Sequence, residues 1–145
     1  MTQFYEILLF LILLVIFNSF IGYPLVIFLL GQLKKKPQLL ESEPSVTIMI
    51  AAYNEEKPIA QRIENIASID YDLSKIELII GSDQSSDSTN QILLEQQKKY
   101  QWLKIFLSDK RRGKAGILNE LIKQAENEIL VFTDANTQFH KNALK

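Results

Sequence analysis

The sequence has no cysteine, a single histidine and almost no net charge, and each of these absences removes a class of function. Without cysteine, the 145-residue chain has no disulfides and no thiolate metal site, which fits a reducing compartment. A net charge of −1 argues against a nucleic-acid partner, because nucleic-acid-binding domains are usually strongly basic. The lone histidine, His140, supports no site by itself, and we predict that it lies on the surface. The chain contains no internal repeat and no low-complexity tract.

One long stretch near the amino terminus carries almost no charge. Residues 4–30 are apolar except for Glu6, Asn18, Ser19, Gly22 and Pro24. About 20 apolar residues span a bilayer core, so we predict that residues 1–33 form a single transmembrane anchor. A signal peptide is the alternative, but residues 1–6 carry no Lys or Arg and no small-residue cleavage site follows. Three lysines at 34–36 follow the stretch, and this positive-inside bias places the rest of the chain in the cytoplasm.

Beyond a proline-bounded linker at residues 34–45, short apolar segments alternate with helical patterns. The predicted strands cover residues 46–51, 76–81, 103–107 and 129–133. These strands are rich in β-branched residues and nearly continuously apolar, as expected where both faces of a sheet are covered.

Helical patterns follow each of the first three predicted strands. Isoleucines at 59, 63 and 66 share one helix face, and a second helix runs to about Tyr100 with Asp87, Ser88 or Thr89 as its cap. The third pattern has the strongest apolar stripe: Ile117, Leu118, Leu121, Ile122 and Ala125. Residues 140–145 are predicted to open a further helix. Alternating strands and helices predict an α/β fold with a parallel, Rossmann-like sheet and helices on both faces.

In such a sheet, ligands bind at the carboxyl ends of the strands, where the strand order reverses. The segments that follow the four strands are all polar or charged: AYNEE, SDQSSDST, SDKRRGKAG and DANT. Tyr53 can stack on a base, Glu55 can accept hydrogen bonds from a ribose or base, and Asp83 can accept them from an imide N–H or a hydroxyl. The simpler alternatives are that Glu55 favours a helix dipole and that Asp87 caps a helix or braces a loop.

Two of these segments carry groups suited to a diphosphate. KRRGKAG places four cations around a glycine at a predicted helix start, a setting that favours anions, although a solvated basic turn is the alternative. Its glycine spacing differs from that of a Walker A loop. Asp134 and Asn136 would point to the same side of an extended chain and could hold a divalent cation together with diphosphate oxygens. The alternative for this pair is an Asp/Asn turn.

In order and spacing, these motifs resemble the amino-terminal half of family 2 glycosyltransferases of the GT-A fold. The resemblance covers residues 46–145 and rests on VTIMIAAYNEEKPIAQRIENI, YDLSKIELIIGSDQSSDST, RRGKAGILNEL and ILVFTDANTQF. It implies inverting transfer from a nucleotide sugar, a UDP-sugar by expectation, with Mg²⁺ or Mn²⁺ as cofactor. The preceding apolar helix is similar to that of the membrane-bound branch that makes cell-surface polysaccharides, which implies a glycan or lipid acceptor.

The resemblance also implies roles for individual residues. Those implied to bind the nucleotide sugar are Ala52, Tyr53, Glu55, Asp83, Lys114 and Asp134. Tyr53, Glu55 and Asp83 would contact the uridine end, Lys114 the diphosphate, and Asp134 the sugar-phosphate and the metal, with Asn136 as a second metal ligand. Asn136 replaces the aspartate of the family's metal motif, so metal affinity should be lower, and Ser82 replaces the first carboxylate of the second block.

The family's acceptor site and general base follow the metal motif, and few residues follow Asn136. We therefore expect a truncated donor-binding half, with no general base among its residues and no activity alone. One alternative is a non-catalytic, membrane-anchored nucleotide-binding or assembly module. Another is a receiver-like domain that accepts phosphate, with Glu55, Glu56 and Asp109 at its site.

Overall fold

The structure, a computed structural model, describes residues 1–33 and 43–145. The chain divides into two compact units, Met1–Glu41 and Ser42–Lys145. Most of the predicted linker, with its three lysines, lies outside the described residues.

The first unit contains one long apolar helix. It consists of α1 (Thr2–Phe17), a π-helical segment (Asn18–Gly22) and α2 (Tyr23–Leu33). At 1.5 Å per residue, its 32 residues extend for about 48 Å, more than the roughly 30 Å of a hydrocarbon core. Among the described residues, this is the one helix long and apolar enough to cross a membrane.

The second unit is the predicted α/β fold. Its elements are β1 (Val46–Ala52), α3 (Ile59–Ala67), a 3-10 turn (Leu73–Lys75), β2 (Ile76–Ser82), α4 (Thr89–Gln97), β3 (Leu103–Leu107), α5 (Gly113–Ile122) and β4 (Ile129–Thr133). All strand pairs are parallel and the order is β3-β2-β1-β4. The fold class predicted from the alternating pattern is confirmed.

Helices cover the two faces of the sheet unequally. Alternate residues of each strand point to opposite faces, so β1 contributes Ile48 and Ile50 to one core and Met49 to the other. The larger core also contains the buried isoleucines of α3 and Leu93 of α4. The smaller core rests on α5 alone, and at its margin Phe132 of β4 remains 51% exposed.

Gly81 allows α5 to approach β2 closely. A Cβ atom at this position would lie 2.3 Å from Cγ2 of Ile117 and 3.1 Å from Cδ2 of Leu121. Carbon atoms in good contact are about 3.5–4.0 Å apart, so any side chain here would push α5 away from the sheet. The glycine thus fixes the position of the helix that begins at the carboxyl end of the sheet.

A buried carboxylate, Glu77, lies toward the amino end of β2. It accepts hydrogen bonds from Thr47 (2.6 Å), Lys104 (2.6 Å) and the backbone N–H of Glu126 (3.0 Å). Burial raises the pKa of Glu77, but these three donors outweigh it and leave the pKa below its ordinary value. The network joins β1, β2, β3 and the segment before β4 at the edge opposite the predicted site.

Three predicted helix limits differ from the structure. The second helix was expected to reach about Tyr100, but α4 ends at Gln97, because the N–H groups of Lys99 and Tyr100 both turn back to the Gln96 carbonyl. The apolar stripe extends to Ala125, but α5 ends at Ile122. After that residue the N–H of Ala125 bonds to the carbonyl of Ile122, three residues earlier, as in a 3-10 turn. The helix predicted at 140–145 is wrong: these residues form turns, in which the N–H groups of Ala143 and Lys145 bond to carbonyls three residues earlier, at His140 and Asn142.

Candidate functional site

The four polar segments meet at one edge of the sheet, which we call the rim and define as the loops at the carboxyl ends of β1 to β4. The strand order reverses at β1, with β2 and β3 on one side and β4 on the other. The rim is therefore the location at which open α/β sheets bind ligands.

Backbone and side-chain bonds hold the β1 and β2 loops together. The side-chain oxygen of Asn54, whose φ is 54°, accepts the N–H of Ser86 at 2.9 Å. The N-cap position of α4 is Ser88, whose side chain makes no capping bond. Asp87 accepts N–H groups from Thr89 (3.0 Å), the first residue of α4, and from Glu56 (3.2 Å), so it braces the two loops, one of the two roles predicted for it. These contacts hold the β1 and β2 loops to each other.

Ala52 and Glu55 lie at the end of β1 and in the loop that follows it. Ala52 is 1% exposed and its carbonyl accepts the N–H of Asp83 at 2.8 Å, so it presents no side chain to the rim. The N–H of Glu55 donates to Oγ1 of Thr89 at 2.8 Å. Among the described residues, no group donates to the Glu55 carboxylate. The contact of Ala52 and Glu55 with a nucleotide sugar stays a prediction.

Asp83 caps α5 from the end of β2. It is 3% exposed, and its two carboxylate oxygens accept the N–H groups of Arg112 (2.6 Å) and Gly113 (2.9 Å). A carboxylate at this place satisfies amides at the start of a helix and complements the helix dipole. The sequence predicted that the start of α5 favours an anion. Asp83 already accepts two backbone N–H groups there, so these two groups are not available to a bound diphosphate.

Arg111 is a residue that the sequence motifs did not single out. Its guanidinium carbon lies 3.3 Å from the centroid of the Tyr53 ring, and its Nε is 3.3 Å from the Asp83 carboxylate. The run of cations from Lys110 to Arg112 was the available signal, but its spacing does not show which cation turns toward the tyrosine. Arg111 thus covers one face of the ring on which a base was expected to stack.

Lys114 and Asp134 form a hydrogen-bonded ion pair across the rim. Lys114 comes from the first turn of α5, whereas Asp134 follows β4, so the pair joins two elements that are distant in sequence. Both side chains remain more than half exposed, and water therefore weakens their attraction.

The segment after Asp134 is a turn. Ala135 and Asn136 lie in this turn, and Ala135 is buried among the larger core. The expectation that Asp134 and Asn136 project from an extended chain is wrong, because the strand ends at Thr133. The Asp/Asn turn, considered as the simpler alternative, is the conformation that the structure has.

The oxygens of Asp134 and Asn136 suit a hard cation, but they are few. Among the described residues, no group of three or more Asp, Glu, His or Cys side chains could hold a metal ion. Mg²⁺ is commonly held by one or two carboxylates together with substrate phosphates. The residues therefore fit a metal shared with a diphosphate, provided that Lys114 leaves the Asp134 oxygen it now contacts.

Two residues set aside in the sequence lie away from these contacts. His140 is exposed, and its Nδ1 accepts the N–H of Asn142 at 3.4 Å. Trp102 is partly buried beside Tyr100, with ring centroids 5.1 Å apart. Both agree with the predicted surface and packing roles.

Several known proteins resemble this chain in sequence. A beta-monoglucosyldiacylglycerol synthase of Trichormus variabilis is 34% identical over 122 residues, which cover 79% of this chain and 26% of that protein. A poly-beta-1,6-N-acetyl-D-glucosamine synthase of Staphylococcus epidermidis is 32% identical over 144 residues, covering 88% of this chain and 34% of that protein. The chain thus spans about a quarter to a third of the length of these relatives.

Solved structures show the same fold. The mannosyltransferase PcManGT from Pyrobaculum calidifontis, in complex with GDP-Man and Mn²⁺, matches with a TM-score of 0.68 and 27% identity over 88% of this chain and 39% of that one. TarS of S. aureus (residues 1–349), in complex with UDP-GlcNAc, matches with a TM-score of 0.59 and 28% identity over 67% of this chain and 28% of that one. The model of "Glycosyl transferase family 2" matches residues 47–145, most of the chain. With the ordered motifs, the parallel sheet and this match in agreement, the chain belongs to glycosyl transferase family 2.

Proposed function

We propose that residues 46–145 are the donor-binding part of a membrane-anchored, inverting family 2 glycosyltransferase, and that the donor is a UDP-sugar. The observation that carries this proposal is the convergence of four loops at the rim. There Tyr53 and Asp83 are linked through Arg111, and Lys114 is paired with Asp134. Aromatic, acidic and cationic groups in one row suit the base, the ribose and the diphosphate of such a donor.

The donor lies along the rim in this proposal, with its base toward β2 and its sugar toward β4. The uridine contacts Tyr53, Glu55 and Asp83 in this proposal. Arg111 must then leave the Asp83 carboxylate, which also accepts two N–H groups at the start of α5, and must move from the tyrosine ring or hold the base against it. Lys114 contacts the diphosphate, where its ammonium offsets phosphate charge. The backbone of Ala52, whose carbonyl accepts the N–H of Asp83, lies beneath the base in this proposal.

Mg²⁺ or Mn²⁺ is the proposed cofactor, held by Asp134 and Asn136 with the diphosphate. Such a metal supplies positive charge that stabilises the leaving nucleoside diphosphate. The solved mannosyltransferase complex contains Mn²⁺, which supports this assignment. An inverting transfer also needs a base for the acceptor hydroxyl, and we assign that role to no residue of this chain.

The membrane helix and the relatives suggest where the transfer occurs. The lysines at 34–36 support a cytoplasmic location for the rim by the positive-inside rule. The names of the two relatives point to a lipid acceptor in one case and to a polysaccharide in the other, so the acceptor class proposed for this chain is a glycan or a lipid.

Calorimetric titration of the full chain in detergent with UDP and GDP, each with and without Mn²⁺, tests the proposal. We expect UDP to bind and Mn²⁺ to strengthen binding. Lys114→Met should weaken UDP binding about tenfold, or ~1.4 kcal/mol. Asp72→Ala is the matched control, since this exposed aspartate lies near the amino end of β2 and should leave affinity unchanged.

A chain that binds neither nucleotide would contradict the proposal and would leave the assembly module as the better reading. Preference for GDP over UDP would contradict the choice of donor alone. Equal loss of affinity in the Lys114 and Asp72 variants would show that binding does not occur at the rim.

A further inference from the structure

Arg62 of α3 is a buried cation without a carboxylate partner among the described residues. It is 1% exposed, and burial lowers the pKa of its guanidinium. Isolated buried charges are costly unless hydrogen bonds compensate them. Nη1 and Nη2 donate to neutral oxygens and the guanidinium lies over an aromatic ring, whereas Nε has no partner among the described residues. The groups that do contact the guanidinium lie on residues 133–139 or hold them in place.

The guanidinium starts a chain of hydroxyl groups that ends at Asp134. Nη2 of Arg62 donates to Oγ1 of Thr133 at 2.9 Å, and this oxygen lies 2.9 Å from Oγ1 of Thr137. Oγ1 of Thr137 donates to the backbone carbonyl of Asp134 at 3.0 Å.

One assignment of protons satisfies all three contacts, although the distance between the two threonine oxygens alone lets either of them donate. A hydroxyl has one proton, and that of Thr137 is used on Asp134. The proton between the two threonines therefore belongs to Thr133, whose oxygen must then accept from a pure donor. Arg62 is that donor, because a guanidinium has no acceptor. In this assignment Arg62 donates to Thr133, Thr133 to Thr137, and Thr137 to the backbone carbonyl of Asp134.

A second set of contacts holds the far end of the same segment. Nη1 of Arg62 donates to Oδ1 of Asn65 at 2.6 Å. Asn65 in turn accepts the N–H of Phe139 at 2.8 Å and donates to its carbonyl at 3.0 Å. The guanidinium carbon also lies 4.1 Å from the centroid of the Phe139 ring. One side chain therefore supports both ends of residues 133–139, which contain Asp134 and Asn136.

We propose that Arg62 is a positioning residue, which holds the segment 133–139 so that Asp134 and Asn136 face the diphosphate and its metal. The inference rests on the proposed function, since it assigns Arg62 an effect on that site. Arg62 acts through Thr133, Thr137 and Asn65 and touches no ligand itself.

Two variants separate positioning from simple stability. Thr137→Val removes the last hydroxyl of the chain at nearly constant volume and leaves Arg62 in place. Arg62→Lys keeps the charge but loses the planar, forked donor. The control is Thr47→Val, which removes a buried hydroxyl that is bonded to Glu77. Thr47 lies near the amino end of β1, at the end of the strand opposite the rim.

The chain's lack of cysteine permits a readout that needs no nucleotide. A spin label attached at Gln138→Cys, an exposed position inside the held segment, reports its motion by electron paramagnetic resonance. We expect a sharper, more mobile spectrum in the Thr137 and Arg62 variants and no change in the Thr47 control.

The second readout is the affinity for UDP with Mn²⁺, measured in the full chain in detergent without the label. Residues that orient metal ligands typically contribute 10- to 100-fold to affinity, so we expect a loss of about tenfold in both variants and none in the control. Unchanged spectra, or mobile spectra with wild-type affinity, would overturn the positioning role. Failure of the wild-type chain to bind either UDP or GDP with Mn²⁺ would instead overturn the proposed function, and with it the role assigned to Arg62, whatever the spectra show of the segment.

Discussion

Replacing Gly81 by alanine tests how closely α5 packs on the sheet. The added methyl group would lie 2.3 Å from Cγ2 of Ile117, over 1 Å inside normal contact. Ile117 and Leu121 are fully buried, so neither can rotate toward solvent to make room. The helix must therefore shift, and the small core between α5 and the sheet must repack.

Two opposing effects set the magnitude. Overpacking of a core typically costs about 1–3 kcal/mol, whereas replacing glycine by alanine stabilises by about 0.4–1 kcal/mol through the unfolded chain. The clash is severe, so we expect overpacking to prevail and the free energy of unfolding to fall by about 1–2 kcal/mol.

Urea unfolding of the full chain in detergent measures this loss. Trp102, the only tryptophan, reports on the unit that contains the sheet through its fluorescence. Ile117→Ala removes the clashing methyl group and alone should cost about 2–5 kcal/mol. In the double variant the alanine at 81 fills part of the space that Ile117→Ala leaves. The loss of unfolding free energy in the double variant should therefore be smaller than the sum of the two single losses by at least about 1 kcal/mol.

An alanine variant as stable as the wild-type chain would refute this account of Gly81. Strictly additive losses would do the same, because they would show that the methyl group and Ile117 do not compete for one space.

Three further predictions concern single residues. The pKa of Glu77 is lower in the folded chain than in the unfolded chain, where it is about 4.3. The ionised carboxylate therefore stabilises the fold above that unfolded pKa, and this stabilisation is lost as pH falls through the lower folded pKa. Glu77→Gln should make the free energy of unfolding in urea less dependent on pH between about 5 and 3. Asp83→Ala removes the cap of α5 and should lower the free energy of unfolding by about 1–2 kcal/mol, whereas an unchanged stability would show that the cap is dispensable. Asn136→Asp adds a charged oxygen beside Asp134 and should strengthen Mn²⁺ binding in the presence of UDP, measured by the loss of the free Mn²⁺ resonance; equal or weaker binding would exclude residue 136 as a ligand.

The fold could be predicted from the sequence because its signals are local. Residues 103–107 and 129–133 were predicted as strands and are strands, and β1 and β2 each extend only one residue further than predicted. Continuous apolar segments indicated strands covered on both faces, and that inference holds best for β1 and β2 at the centre of the sheet. Helix ends were less predictable, since apolar stripes continue past the residues at which the backbone bonds tighten.

The site could be predicted only in outline. Parallel strands bring their carboxyl ends together, so the presence of Asp83, Lys114 and Asp134 at one rim follows from topology. Their pairing does not follow, because it depends on side-chain directions that sequence spacing does not encode. That Asp83 bonds to backbone amides of α5 and that Arg111 lies over Tyr53 could therefore be learned only from coordinates.

The strand order has a consequence for how such a rim can change during evolution. The contacts of Tyr53, Arg111 and Asp83 lie on the β2 side of β1, whereas Asp134 and the supports supplied by Arg62 lie on the β4 side. Each group has its own backbone anchors, and the exposed ion pair from Lys114 to Asp134 connects the two groups. A substitution in one group can therefore leave the hydrogen bonds of the other in place, as long as the larger core, which contains both Ala52 and Ala135, stays packed.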